Sequence, residues 1–217
     1  VYRICIAAIC MLPVALPAAA GYRFDTEGDY LASAEDWPAW AAMLERHEED
    51  REEIQQCLED KEACEGKLKS LRYLLDRGSE LSRKRQLRLV NRYVNKRRYR
   101  RDRREVSLSV VPEGEATLRN HWTTLLDFMR RGGDCEDFAV AKYFLLRELG
   151  VPAEDMRVVI TWERDARDYH AVLAVRQDDG TALLLETDDT ILRGSHRRYR
   201  YIYAVNEEGI WDHEKRE

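Results

Sequence analysis

The sequence predicts an α+β fold in which a helical N-terminal half packs against an antiparallel β-sheet. Apolar residues recur at helical spacing through much of 33–95, within a highly charged background. A further amphipathic helix is predicted from Cys135 to the vicinity of Gly150. Beyond Pro152 the chain consists of β-branched and aromatic runs separated by turn residues, which is typical of strands.

The composition of the 217 residues fits one ordinary globular core, because 44% are hydrophobic and 35% are charged. That charge content is too high for a membrane protein overall. The 41 acidic and 36 basic side chains give a formal net charge of -5. No global field therefore favours nucleic acid or an anionic membrane, and such a partner would need a local patch.

Residues 1–20 have the layout of a secretory signal peptide. Arg3 precedes an apolar run, which ends in three alanines before Gly21. The run is short and lacks the flank of a good membrane span. We therefore expect cleavage and export to the periplasm, which leaves a protein that is not embedded in a membrane. An uncleaved N-terminal anchor is the alternative.

Removal of this segment would leave three of the five cysteines in the chain. Cleavage takes away Cys5 and Cys10, and the other cysteines then lie in an oxidising compartment. Cys57 and Cys64 would be two turns apart in one straight helix, so a disulfide requires the chain to turn between them. We favour this pairing over two free thiols, because export exposes free thiols to oxidation. Cys135 then remains unpaired.

Capping signals locate the N-terminal helices. Ser33 is followed by an acidic residue three positions later and then by Pro38, an arrangement typical of a helix start. Further helical stretches are predicted over 68–75, ending at Gly78, and from Ser82 onward.

The segment 96–104, KRRYRRDRR, is the most basic run of the chain. With Tyr99 inside it, phosphate contacts and base stacking are conceivable. An exported protein seldom meets nucleic acid, so we expect a solvated helix end and no nucleic-acid partner. A docking surface for a protein is the alternative.

The chain changes character near residue 105, which sets the predicted boundaries. We expect the helical portion and the core that follows it to form one compact domain. The predicted parts are a signal peptide over 1–20, a helical portion over 21–105 and a C-terminal core over 106–217.

The core is predicted to begin with an extended stretch at 106–114 and a short helix over 118–131 that Gly132 stops. The pair Asp179 and Gly180 is a hairpin signal, so the strands on either side should be antiparallel neighbours. The predicted strands cover 156–162, 169–175, 182–186 and 199–205.

Cys135 lies at the predicted start of a helix, between a pair of glycines and a group of carboxylates. The positive end of the helix dipole favours a thiolate there. Gly132 and Gly133 would let the chain turn tightly and let a substrate backbone approach. A lone cysteine at a helix start is more often packed and inert, so a nucleophile also needs a base and an orienting acid.

His170, in the predicted strand YHAVLAV, is the candidate base. One hairpin away lies a carboxylate cluster formed by Glu186, Asp188 and Asp189. Because neighbouring strands are about 5 Å apart, an acid on one strand can hold an imidazole on the next, as in a Cys-His-Asp/Glu triad. These residue types in this order predict acyl transfer through a thiol.

The stretch GGDCEDFAVAKYFLLRELGV followed by YHAVLAVRQDDGTALLLETDD resembles the bacterial transglutaminase-like cysteine peptidases. The likeness is sharp over 122–189 and fainter back to 90–95, whereas 21–80 matches only in being helical. It implies a papain/transglutaminase-like cysteine protease core.

The resemblance implies that Cys135 is the nucleophile and His170 the general base. The third member in the family is usually an Asp at the end of the next strand, in a Leu-Asp-Asn context. This sequence has Leu185-Glu186-Thr187 instead. Glu186 therefore takes the position of the orienting acid, and Asp188 is the alternate acid if the strand continues.

The carboxylates of Asp134, Glu136 and Asp137 should raise the pKa of a neighbouring thiol. One interpretation is helix capping, with Asp134 as N-cap and the other two in the first turn. The other is a calcium site, since clustered carboxylates provide the oxygen ligands of a hard cation. The resemblance favours calcium, because the family's adhesin-processing proteases are calcium-dependent.

The resemblance implies a periplasmic calcium-dependent cysteine endopeptidase that cleaves the N-terminal region of a large surface adhesin. It further implies an inner-membrane cyclic-di-GMP receptor that sequesters the protease, so that biofilm attachment is released when cyclic-di-GMP falls. The alternatives are a transglutaminase-like acyltransferase or amidase with the same triad, and a non-catalytic periplasmic binding module.

Overall fold

The computed structural model describes residues 21–24, 29–101, 122–193 and 198–214, and it has the predicted α+β fold. The predicted signal peptide and the predicted extended stretch at 106–114 lie outside these residues. The boundary at residue 105 lies outside them as well.

Five α-helices occur in the described residues, and none has the length and apolar character that a membrane span requires. Ser33 and Asp36 form the predicted capping box, but it caps a short 3-10 helix, Ala34–Asp36, and α1 begins separately at Pro38 with Trp37 as its N-cap. The helices are α1 (Pro38–Glu59), α2 (Lys67–Ser79), α3 (Arg83–Asn95), α4 (Leu125–Arg131) and α5 (Cys135–Glu148).

Helix α4 is shorter than predicted, because residues 122–124 are not helical. Thr124 is the N-cap, and its hydroxyl accepts a hydrogen bond from the Asp127 N–H at 3.4 Å. The preceding Thr123 N–H donates instead to the Asp137 carboxylate of α5, at 2.9 Å. This tertiary contact fixes the start of α4.

Seven strands of the described ranges form one antiparallel sheet in the order β1-β7-β6-β2-β3-β4-β5. The predicted hairpin joins β3 to β4, with Gly180 at a φ of 74°. Strands β1, β5 and β7, of three residues each, were not predicted because their patterns are too short. The strands are β1 (Tyr30–Ala32), β2 (Met156–Glu163), β3 (Asp168–Arg176), β4 (Ala182–Leu185), β5 (Ile191–Arg193), β6 (Tyr199–Val205) and β7 (Ile210–Asp212).

Helix α5 is the central helix, which packs on β2 and β3 and also contacts α3 and α4. Side chains of α1, α2 and α3 share one buried apolar cluster with α5 and the inner face of the sheet. A smaller cluster covers the outer face, where Tyr22 and Phe24 pack near Trp211. The helix that begins at Cys135 is thus held on all sides, which fixes the position of its first turn.

The chain turns between Cys57 and Cys64, and the two form a disulfide with an S–S distance of 2.01 Å. Helix α1 ends at Glu59, and Asp60 caps a short 3-10 helix over 61–63. Its carboxylate accepts a hydrogen bond from the Glu62 N–H at 2.9 Å. The predicted pairing is confirmed, and Cys135 is the free cysteine of the described residues.

Candidate active site

Cys135 is the first residue of α5, and the turn before it requires glycine. Gly132 has a φ of 75°, and a Cβ there would lie 2.0 Å from the carbonyl oxygen of Arg98. Asp134 is the N-cap, and its N–H donates to the Asp137 carboxylate at 3.2 Å within a capping box. The predicted capping of α5 is therefore present.

The start of the basic run lies beside this turn. The Arg100 N–H donates to the Gly133 carbonyl at 2.8 Å, and Tyr99 forms a parallel bridge with Gly133. Arg101 pairs with Asp168, two residues before His170, at 2.6 Å. The side chains of 98–101 are solvated, as predicted, but the sequence did not indicate that their backbone borders the cysteine.

The Cys135 thiol is buried, with 8% of the residue exposed. It donates a hydrogen bond to Oε2 of Glu136 at 3.3 Å. Burial raises its pKa well above the usual value, and the charges of Glu136 and Asp134 raise it further. The backbone N–H of Ala171 bonds to the sulfur and lowers the pKa. Burial and the neighbouring carboxylates therefore oppose the effect of the helix dipole on the thiol.

His170 stands near the start of β3, and its Nε2 lies 3.0 Å from Oε2 of Glu186. Glu186 follows the last residue of β4, opposite the strand that carries the histidine. The other carboxylate oxygen accepts a hydrogen bond from the Tyr199 hydroxyl at 2.9 Å. With Nε2 held by the acid, Nδ1 is the ring nitrogen left to exchange a proton with a thiol.

Asp188 does not continue the strand, because β4 ends at Leu185 rather than at the predicted residue 186. Its carboxylate accepts a hydrogen bond from the Thr190 N–H at 3.0 Å. Hydrogen bonding to Thr190 lowers the pKa of Asp188. Asp188 thus caps the turn, whereas Glu186 is the acid that contacts His170.

Two polar side chains from the helices fix the backbone of Glu186. Lys142 of α5 donates from Nζ to the Glu186 carbonyl at 2.7 Å, and Asn95 of α3 donates to the same oxygen at 2.8 Å. Burial lowers the pKa of Lys142 to about 7, although Glu186 and Asp189 oppose the shift. These residues and Tyr199 were not predicted from the sequence. For Lys142, the sequence signal that could have been used is the position of a lysine on the apolar side of the predicted helix.

The three carboxylates beside Cys135 are all buried. Burial and the charge of Asp134 raise the pKa of Glu136 well above its usual value, and burial raises that of Asp137 to about 7. Buried carboxylates fit the oxygen ligands and positive charge of a hard cation. In the described ranges, however, no group of three or more His, Cys, Asp or Glu side chains is arranged so that it could hold a metal ion.

Comparison with known families gives one assignment. The sequence profile of the bacterial transglutaminase-like cysteine proteinases matches residues 52–213. The match runs from the second half of α1 through the turn at Cys135 to the end of β7. A search of curated proteins found no significant match.

Solved structures of LapG from Legionella pneumophila have a similar fold. The calcium-bound LapG is 26% identical with a TM-score of 0.62, covering 76% of this chain and 89% of that chain. The EGTA-treated LapG is 25% identical with a TM-score of 0.60, covering 73% and 84%. A further LapG structure, 24% identical over 73% of this chain and 87% of that chain, has a TM-score of 0.59 and agrees in fold.

The family profile covers most of the chain, and the similar structures share its helices and its sheet. The chain therefore belongs to the bacterial transglutaminase-like cysteine proteinases, and it is a cysteine peptidase.

Proposed function

We propose that the chain is a periplasmic, calcium-dependent thiol endopeptidase that acts on a protein substrate. In this proposal Cys135 is the nucleophile, His170 is the general base and Glu186 orients the imidazole. The observation that carries it is the 3.0 Å contact between Nε2 of His170 and Oε2 of Glu186. Helix α5, which begins at Cys135, packs on β3, the strand that carries His170.

The proposed reaction begins when Nδ1 of His170 takes the thiol proton and the sulfur attacks a backbone carbonyl carbon. The imidazolium then protonates the leaving amine, the C–N bond breaks and a thioester remains on Cys135. His170 next takes a proton from water, whose oxygen attacks the thioester and releases the carboxylic acid and the thiol. The buried carboxylate of Glu186 stabilises the imidazolium in both halves.

Calcium is proposed to bind the carboxylates of Asp134, Glu136 and Asp137. The burial of all three side chains and the raised pKa values of Glu136 and Asp137 support a cation, since charges of one sign are otherwise held together in the protein. The calcium-bound LapG of similar fold supports the choice of ion. Bound calcium would supply positive charge, which lowers the pKa of the Cys135 thiol.

The substrate is proposed to be the N-terminal region of a large surface adhesin, cut near paired small residues. An inner-membrane receptor is proposed to sequester the protease when cyclic-di-GMP is high, so that cleavage and biofilm release follow when it falls. Membership of the family and the likeness to LapG support these assignments. The predicted signal peptide over 1–20 supports the periplasm.

The test is to incubate the protein with an adhesin N-terminal fragment, in calcium and in a chelator, beside Cys135→Ala. We expect cleavage by the unaltered protein in calcium, loss of cleavage in chelator and none by Cys135→Ala. Cleavage by Cys135→Ala would overturn the mechanism, and cleavage that persists in chelator would overturn the calcium assignment. A labelled amine in the same reaction tests the acyltransferase alternative, which requires amine incorporation to exceed hydrolysis.

A further inference from the structure

We propose that the outer face of α3 and the segment after it bind an acidic stretch of the protein substrate and lead it to the active site. This inference rests on the proposed function, because it takes the ligand to be the chain that Cys135 cleaves. We call this surface the basic strip. Its members are the exposed residues Arg85, Arg88, Arg92, Lys96, Arg98 and Arg100.

The charge of this region is opposite to that of the rest of the chain. Residues 81–101 contain ten Lys or Arg and no Asp or Glu, whereas the whole chain has 36 basic and 41 acidic residues. The remainder is therefore strongly negative and repels an acidic ligand. Such a ligand is therefore attracted to residues 81–101.

The fold does not use the charges of the three members on α3, whereas the Arg100 guanidinium donates a hydrogen bond to the Arg131 carbonyl at 3.4 Å. The inner side of α3 is buried through residues such as Leu87 and Val90. Arg85, Arg88 and Arg92 follow each other at helical spacing on the opposite, exposed side. Within the described ranges, none of these three guanidinium groups has an ion pair or a hydrogen bond.

The basic strip is continuous with the proposed catalytic centre. Its last member, Arg100, donates its backbone N–H to Gly133 at 2.8 Å, two residues before Cys135. The next residue, Arg101, pairs with Asp168 at 2.6 Å, two residues before His170. A chain that lies along the basic strip is thus brought close to the start of α5 and to β3.

This continuity favours a polypeptide over a lipid surface as the occupant. A substrate chain gains from binding beside the nucleophile, because the bound segment raises the local concentration of the scissile bond. Exposed ion pairs are weak one at a time, so a row of cations suits a run of several carboxylates. The chemical class of the substrate is therefore a protein with an acidic run near the cleavage site.

The first test measures binding without catalysis. Full-length Cys135→Ala protein is titrated into a fluorescein-labelled peptide of alternating Glu and Gly, and into the matching Gln and Gly peptide. We expect the Glu peptide to bind about tenfold more tightly at low salt, and the preference to fall as salt screens the charges. The triple change Arg85→Gln, Arg88→Gln and Arg92→Gln should remove the preference.

The control is the triple change Lys67→Gln, Lys69→Gln and Arg77→Gln on α2, whose side chains are also exposed. It removes the same charge from outside the basic strip and should leave the preference intact. Absence of a preference, or a preference that the α3 changes do not alter, overturns the proposal. Phosphatidylglycerol vesicles are a further competitor of the Glu peptide. If they displace it equally well and their binding also depends on the α3 arginines, the surface binds membranes and the proposal is overturned.

The second test uses cleavage of a peptide with a di-alanine core, carrying a Glu run or a Gln run on either side. With the unaltered protein, one Glu-flanked peptide should have a kcat/KM about tenfold above its Gln partner, mainly through KM. The α3 triple variant should cleave both equally, at the rate of the Gln peptide. If the unaltered protein cleaves neither peptide, the proposed function fails, while the binding test still decides on the basic strip.

Discussion

At the scale of single residues, Glu186 is held at more points than a surface carboxylate would be. His170 bonds to one carboxylate oxygen and Tyr199 to the other, while Lys142 and Asn95 donate to its carbonyl. The side chain is buried, so its charge acts on the imidazole with little screening. These contacts support the proposal that Glu186 is the acid that orients His170.

Replacement of this acid tests its role. Glu186→Gln keeps the size of the side chain but removes the charge that stabilises the imidazolium, so kcat/KM should fall by about 10² to 10⁴. Asp188→Asn is the matched control, and it should change kcat/KM less than about threefold, because an exposed turn cap contributes little. Steady-state kinetics on one peptide measure both, and the reverse order of effects would exclude Glu186 as the acid.

Lys142 provides a pH signature. Its pKa is lowered to about 7 in the folded protein, below its value in the unfolded chain, because burial disfavours the ammonium. The unfolded chain thus binds more protons above pH 7, so the free energy of unfolding should rise with pH by up to about 1.4 kcal/mol per unit. Urea titrations between neutral pH and pH 9 should show this rise, and Lys142→Met should lack it. If the free energy of unfolding of Lys142→Met rose with pH as steeply as that of the unaltered protein, the lowered pKa of Lys142 would not be its cause.

The sequence allowed Cys135, His170 and Glu186 to be picked out as candidates, because each lies at a recognisable place in a local pattern. Tyr199 and Asn95 could not be found that way, since their role depends on which elements pack together. Their contacts with Glu186 span 13 and 91 residues of sequence. Local periodicity carries no information about such pairs.

At the scale of elements, the turn before α5 depends on a close approach between two chain segments. A Cβ at Gly132 would meet the Arg98 carbonyl, and one at Gly133 would meet the Asp137 carboxylate. The first contact brings residues 98–101 alongside the cysteine. The two glycines were predicted to permit a tight turn, but their tight packing against these partners was visible only in the folded chain.

Gly132→Ala should therefore destabilise the protein more than an ordinary change at a left-handed glycine. Gly150→Ala is the matched control, because Gly150 has a similar φ of 80° and a Cβ added there would have no heavy atom within 4 Å. We expect the control to cost about 1 to 2 kcal/mol, with Gly132→Ala costing more and also lowering kcat/KM. Denaturant unfolding with activity assays measures both. Equal costs and equal activity would show that the approach of Arg98 is unimportant.

At the scale of the whole molecule, the division into helices and sheet followed from periodicity, and α5 followed from its apolar stripe. The order of the strands did not follow, since three-residue strands such as β1 and β7 have no pattern of their own. Their place is set by pairing, with β7 added beside β6 and β1 at the edge. The order of the strands is therefore set by tertiary pairing and packing.

Calcium should stabilise the whole fold if it binds the buried carboxylates. A ligand at one hundred times its Kd adds about 2.7 kcal/mol, which should raise the Tm by roughly 5 to 10 °C for a chain of this size. Magnesium should do less, because it keeps its water shell more strongly. The double change Glu136→Gln and Asp137→Asn should abolish the shift, as measured by thermal melting. A shift of full size in that variant would place calcium elsewhere.

The most direct measurement of the central claim is the intact mass of the protein after reaction with a peptidyl vinyl sulfone. Because Cys57 and Cys64 are joined, Cys135 is the free thiol of the described residues. For protein without residues 1–20, which contain Cys5 and Cys10, we predict one adduct, mapped to Cys135, that forms quickly in calcium and much more slowly in His170→Ala. An adduct that forms equally fast in His170→Ala, or none on the native protein, would contradict a nucleophile activated by this histidine.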